Sequence, residues 1–231
     1  MKKILIIGSS GYVGSVLVNF LKKKYFLYGI DTNWFKTKVI DTSSYYEFKP
    51  NKFLLADLRK INLVELNFIP DAIIYLAAIS NDPMGKQFSK LTHEINTRYC
   101  EKIAKQAKKI GVRKFIFASS CSIYGAAGNT KKKETKKIYP LTDYAKSKVN
   151  SENKLKKLSD NKFKVISLRF ATAAGYSPKL RLDLVFNDFI ANAVTKKKIQ
   201  ILSDGTPWRP LIHVKDMARA IEWAIKYISK K

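Results

Sequence analysis

Six short apolar runs, each followed by a longer polar or amphipathic stretch, constrain this chain more than any other feature. They are "KKILIIG", "YFLYGID", "KFLLADL", "AIIYLAA", "KFIFASS" and "KVISLRF". Near-continuous Ile, Leu, Phe and Val, without polar alternation, mark strands covered on both faces. The stretches between them carry helical periodicity over Tyr12 to Lys24, about Gly85 to Ile110, and about Asp143 to Leu158. Strands alternating with helices build βαβ units, so the fold class is α/β with a doubly wound parallel sheet. Right-handed crossovers then leave few topologies. Past Phe170 the texture changes. "ATAAGYSPKLRLDL" reads as a loop, followed by a helix to about Lys197, a strand in "IQILSDG" and a last helix in "DMARAIEWAIKYISKK". A domain boundary is placed there, separating 1–170 from 171–231.

Composition excludes several classes. Hydrophobic content of 46% over 231 residues provides for a real core. Cys100 and Cys121 are far apart, which suggests a reducing compartment rather than a disulfide framework. His93 and His213, with no CxxC, leave no recognisable metal site. The apolar run Ile4 to Ile7 is too short for a signal-peptide core, and no run approaches a membrane span. The expectation is a cytoplasmic protein that engages no membrane. A net charge of +26 raises nucleic-acid binding. Yet only seven of the 44 basic residues are arginine: Arg59, Arg98, Arg113, Arg169, Arg181, Arg209 and Arg219. Lysines are spread over nearly every polar stretch, the pattern of a solvated surface rather than of a base-reading element.

Directly after the first apolar run comes "GSSGYVGSVL", with Gly8, Gly11 and Gly14 spaced G-x-x-G-x-x-G. Glycine permits a tight turn and lets the backbone approach a pyrophosphate, which the N-terminus of the following helix attracts. Tyr12 and Val13 lie inside this loop. Asp31 ends the second run, 23 residues after Gly8. A carboxylate there accepts ribose hydroxyls and repels a 2′-phosphate, which favours NAD over NADP; Lys36 and Lys38 nearby weaken that exclusion. Asp57 and Leu58 fall where an adenine can lie. Leu76, Ala77 and Ala78 end the fourth run with small residues that leave room for the cofactor.

The fifth run ends in "ASSCSIYG", and carboxyl ends of strands in such sheets face the ligand crevice. Ser119, Ser120 and Ser122 are therefore candidate donors to a ligand oxygen. "LTDYAKSK" places Tyr144 and Lys148 one helical turn apart, behind a cap from Thr142 or Asp143. An ammonium beside a phenol is expected to lower its pKa and make it a proton acceptor.

Together, Gly8/Gly11/Gly14, Asp31, "SSCSIYG" and "YAKSK" resemble the extended short-chain dehydrogenase/reductase family. "SLRFATAAGYSP" and "GTPWRPLIHVKDMARA", with its R-x-x-x-H-V-x-D pattern, are similar to that family's sugar-nucleotide epimerase and dehydratase branch. The resemblance implies an NAD-binding Rossmann domain over 1–170. It implies a partial substrate-binding lobe with returning Rossmann elements over 171–231, since members of the branch continue past this point. It further implies Tyr144 as general base, Lys148 holding the nicotinamide ribose, Ser120 bonding the reacting oxygen and Asn96 in the active site. Ser122, Tyr124, Asn187 and Arg209 would contact the nucleotide-diphosphate sugar. His213 has a packing or helix-entry role, and a homodimer through the long helices is a possibility the family offers. In dehydratases and decarboxylases of the branch, acids follow the catalytic hydroxyl residue; here Cys121 and Ser122 stand there. This favours epimerisation through a 4-keto intermediate. A sugar-nucleotide reductase or dehydrogenase, a truncated NAD-binding homologue without turnover, and a basic nucleic-acid-binding protein remain as alternatives, the last resting on net charge alone.

Overall fold

The computed structural model describes residues 1–34, 48–126, 131–201, 203–205 and 208–227. Lys36 and Lys38 lie outside them. The six apolar runs form β1 (Lys3–Ile7), β2 (Phe26–Asp31), β3 (Lys52–Leu55), β4 (Ala72–Tyr75), β5 (Lys114–Ser120) and β6 (Lys164–Phe170). All pair in parallel, in the order β3-β2-β1-β4-β5-β6, a Rossmann sheet.

Side-chain alternation along β1 divides the interior in two. Ile4 and Ile6 face α1 (Tyr12–Leu21) and α7 (Val214–Lys226), where Leu17, Leu21, Met217 and Ile221 are buried with them. Leu5 and Ile7 face the other side, among Cys100, Ile103 and Ala104 of α4 (Cys100–Lys109) and Leu155 of α5 (Asp143–Leu158). Each buried Ile or Leu contributes roughly 1.5–3 kcal/mol against exposure, so this double covering explains why unbroken apolar runs become the central strands. The last helix thus returns to the main sheet. It is fixed there by Glu222, which bonds Lys24 at 3.0 Å, and by the Lys114 ammonium, which donates to the Ile225 and Tyr227 carbonyls at its C-terminus.

Three expectations are corrected. The segment 85–110 is not one helix: α2 (Asp82–Gln87) ends at Phe88, then α3 (Ser89–His93) passes through a π-helical turn, Glu94–Tyr99, into α4. The break falls at Phe88, whose backbone leaves the helical region at φ −121° and ψ 49°; before it, Gly85 packs against Tyr144 of α5, where an added Cβ would sit 3.2 Å from the tyrosine backbone. β3 is not buried: it is an edge strand, with Phe53 and Leu55 exposed. No strand forms over 199–201 or 203–205. β7 (Thr172–Ala174) pairs instead with β8 (Leu211–His213), and an extended segment without a ladder partner gains no sheet bonds. α6 (Val185–Lys196) carries Phe186, Ile190 and Val194 on an exposed stripe. Among the described residues no helix is long and apolar enough to cross a membrane, and no cluster of His, Cys, Asp or Glu could hold a metal.

Candidate active site

The glycine loop joins β1 to α1 at the carboxyl end of the sheet. Its three glycines answer three different constraints. Gly8 has φ +92°, and a Cβ there would lie 2.6 Å from the Ala77 nitrogen. At Gly14 it would lie 2.1 Å from the Gly8 carbonyl oxygen. Gly11 is different: its nearest neighbour would be 3.7 Å away, so the protein itself leaves that position open. Gly11 is also the N-cap of α1 and offers no side-chain cap, which leaves the first-turn N–H groups for a ligand. A bare backbone facing open space at an uncapped helix start fits a dinucleotide pyrophosphate. Val13 is half-buried between α1 and the sheet.

Asp31 closes the loop from behind. Its two carboxylate oxygens accept the Ser10 and Asn33 N–H groups at 2.9 and 2.8 Å. The acid expected to meet ribose therefore also braces the loop. Asp57 is engaged by the Arg59 guanidinium at 2.6 Å, which holds its carboxyl below the usual range. Leu58 packs into the core. Leu76 and Ala77 donate their N–H groups to the Ile7 carbonyl, placing Leu76–Ala78 against the glycine loop, half-exposed.

α5 begins with Thr142, whose hydroxyl accepts the Ala145 N–H at 3.1 Å and donates to Asp82 at 2.6 Å. This double contact sets Tyr144 and Lys148 one turn apart beside β5. The Lys148 side chain is buried, at 3% exposure; its Nζ donates to the Ala118 carbonyl at 2.7 Å and lies 4.8 Å from the Phe117 ring centre and 5.6 Å from that of Tyr144. Burial depresses its pKa to about 8. Burial also pushes the Tyr144 phenol up to about 12, opposed by a hydrogen bond with the Ser120 side chain and by the Arg181 charge. The expected lowering by Lys148 is thus not what the fold produces: the ammonium sits over the ring and is itself starved of water. Ser120 Oγ lies 2.9 Å from Ser122 Oγ and accepts the Ser122 N–H, so the two serines form a short chain ending at Tyr144. Ser119 Oγ and Ser9 Oγ are buried without a hydrogen-bond partner among the described residues, a second sign that this end of the sheet is built to receive polar groups.

The remaining expected site residues have partners or surroundings of their own. Asn96 is fully buried, its oxygen accepting the Ile79 N–H and its amide nitrogen donating to the Ile79 carbonyl and Ser147 Oγ, at 2.9–3.0 Å. It pins the π turn to α5 behind the site and is not on its wall. Tyr75 assists by donating to the Ile95 carbonyl. Tyr124 points its hydroxyl to Arg169, 3.0 Å away. Asn187 is buried, accepting the Gly175 N–H at 3.0 Å and donating to the Arg181 carbonyl at 3.1 Å. Arg209 is exposed, close enough to Cys121 to lower its thiol pKa against the dominant effect of burial. His213 caps α7 by accepting the Lys215 N–H.

Sequence reasoning missed the loop Gly175–Asp183 as a site element. Tyr12 Oη donates to the Gly175 carbonyl at 2.7 Å, and Ser177 Oγ to the Tyr12 carbonyl at 2.8 Å. Arg181 donates to Ser80 Oγ at 2.8 Å and to Asp183 at 2.6 Å, and its charge reaches both Tyr12 and Tyr144. Lys179, buried, lies within charge range of Asp31. The only signal was two cations two residues apart in a glycine-containing loop.

Residues 4–231 match the model of the NAD dependent epimerase/dehydratase family. The chain belongs to that family. Among similar curated members, an uncharacterized UDP-glucose epimerase, YtcB, of Bacillus subtilis is 28% identical over 229 residues, covering 95% of this chain and 71% of that protein. UDP-glucose 4-epimerase of Streptococcus mutans is 26% identical over 247 residues, covering 97% and 72%. The solved structure of UDP-glucuronic acid 4-epimerase from Bacillus cereus, in complex with UDP-glucuronic acid and NAD, superposes with a TM-score of 0.81 at 26% identity, covering 99% and 74%. The family's cofactor is NAD, and the glycine loop, Asp31 and the unpartnered serines fit it.

Proposed function

We propose that the chain is an NAD-dependent epimerase of a nucleotide-diphosphate sugar, working through a 4-keto intermediate. The observation that carries this reading is the Ser122–Ser120–Tyr144 chain, with Lys148 beside it, at the strand ends that face the glycine loop. NAD, when bound, supplies the hydride acceptor and later the donor. Tyr144 takes the proton of the sugar hydroxyl and returns it, and Ser120 holds the same oxygen. Burial opposes the phenolate, so Ser120 and Arg181 must favour it. Lys148, as an ammonium, holds the nicotinamide ribose. Gly8, Gly11, Tyr12, Val13 and Gly14 shape the pyrophosphate site; Asp31 takes the adenosine ribose; Asp57, Leu58, Leu76, Ala77, Ala78 and Ser119 line the cofactor crevice. Ser122 and Arg209 face the sugar nucleotide, whereas Asn96, Tyr124 and Asn187 position the walls around it. No carboxylate follows Ser120 in this stretch, which supports epimerisation over elimination.

The proposal extends to a partial substrate lobe over 171–231, a homodimer through the outer faces of α4 and α5, and a cytoplasmic location. The test is to purify the chain, release and identify bound dinucleotide, and assay UDP-glucose, UDP-glucuronic acid and UDP-N-acetylglucosamine for 4-epimerisation beside Tyr144→Phe. Turnover lost by at least about 100-fold in the variant, with cofactor retained, is the expected result. Absence of any dinucleotide, even after incubation with NAD, would refute the reading.

A further inference from the structure

Tyr144, Lys148 and Glu152 occupy successive turns on one face of α5. Lys148 is a buried cation, and its ammonium donates to a neutral carbonyl, that of Ala118. A buried charge needs a counter-charge. The titratable groups that face it are Cys100 from α4 and Tyr144 and Glu152 from α5; the β5 side offers the Phe117 ring and the Ala118 carbonyl. Burial raises the Cys100 thiol far out of the ionising range, and Tyr144 is raised as well. Of the groups that face Lys148 among the described residues, Glu152 is then the one carboxylate.

Glu152 is held with unusual care for a helix glutamate. Arg169, near the end of β6, donates Nε to both carboxylate oxygens at 3.0 and 3.2 Å and Nη2 to Oε2 at 2.7 Å. Its remaining arm, Nη1, donates to Tyr124 Oη and to the Glu134 carbonyl, each at 3.0 Å. One guanidinium thus joins β6, α5 and the turn that carries Ser122. A planar fork is suited to this and an ammonium is not. A cavity of about 310 Å³ is lined by Glu152, Lys156, Ser167 and Arg169. The Glu152 side chain keeps only 12% exposure, so its charge is felt inward.

We propose that Glu152, fixed by Arg169, is the positioning counter-charge of Lys148, and that Arg169 couples it to the Ser122–Tyr124 turn of the sugar pocket. The inference rests on the reading of Lys148 as the site's cation. Its test does not depend on turnover, so the two can fail separately. Lysines labelled with ¹³C at Cε are titrated by NMR in the full chain, with Lys148→Met assigning the signal. The wild-type midpoint is expected at about 8. In Glu152→Gln it falls by about one pH unit, because the favourable charge is gone. Glu152→Asp, which keeps the charge at shorter reach, falls by less. A merely structural role predicts the opposite sign, since loosening admits water and returns the midpoint toward that of a free lysine. A midpoint at or above wild type in both folded variants overturns the proposal. In an active preparation, the alkaline limit of turnover moves down with the midpoint in Glu152→Gln.

Discussion

Removing the Lys148 charge changes how stability depends on pH, and the size of that change follows from the structure. Lys148 is depressed from 10.5 in the unfolded chain to about 8 in the folded one, with burial as the main cause. A lysine with a lowered folded pKa binds its proton more weakly when native than when unfolded. Below pH 8 both states are protonated and the native state bears the full penalty, about 3 kcal/mol at 1.36 kcal/mol per unit. Between the two pKa values the unfolded state holds more protons, so stability rises with pH. From about pH 7 to pH 9.5 the gain from this one group is about 2 kcal/mol. Lys148→Met preserves most of the volume and lacks the charge. Urea unfolding of both proteins across this range is the assay. The other lysines titrate alike in the two chains, so the difference between the curves isolates position 148. The variant's advantage is expected to shrink by about 2 kcal/mol from the low to the high end, whatever its absolute stability. Parallel curves would refute the buried-ammonium argument.

The glycine loop separates folding from binding. Gly14→Ala forces a Cβ to 2.1 Å from the Gly8 oxygen and is expected to yield insoluble or strongly destabilised protein. Gly11→Ala meets nothing closer than 3.7 Å, so its melting temperature should match wild type while NAD affinity, by calorimetry, drops at least about tenfold through a clash with the ligand. Tyr12→Phe loses the bond to the Gly175 carbonyl and should cost about 1 kcal/mol in urea unfolding, with faster release of bound dinucleotide. Turnover should fall as pH rises through about 8, where Lys148 loses its proton, and the fall should be reported by kcat in a pH series.

Much of this protein was legible in its sequence because the relevant physics is local. Parallel strands of a covered sheet require unbroken apolar runs, so the six strands of the main sheet and the doubly wound class could be read from "KILII" and its counterparts, although β3 lies exposed at the edge. The glycine spacing, Asp31 and the Tyr144–Lys148 turn are fixed by backbone geometry over a few residues, and α5 begins and ends where the pattern places it. Tertiary structure decided what depends on distant partners. The apolar strand expected in 199–205 found no ladder among its described residues, and the long helix broke at Phe88, where the chain packs Gly85 against Tyr144, 59 residues away. Asn96, Tyr124 and Asn187 have the right types for ligand contact, yet the fold spends their polar groups on Ile79, Arg169 and Gly175. Arg181 and Lys179 came to the crevice only because Tyr12 and Ser177 tie their loop across it. The sign of the Tyr144 shift had the same origin. A helical spacing establishes that a phenol and an ammonium are neighbours, but how much water each keeps is a property of everything packed around them.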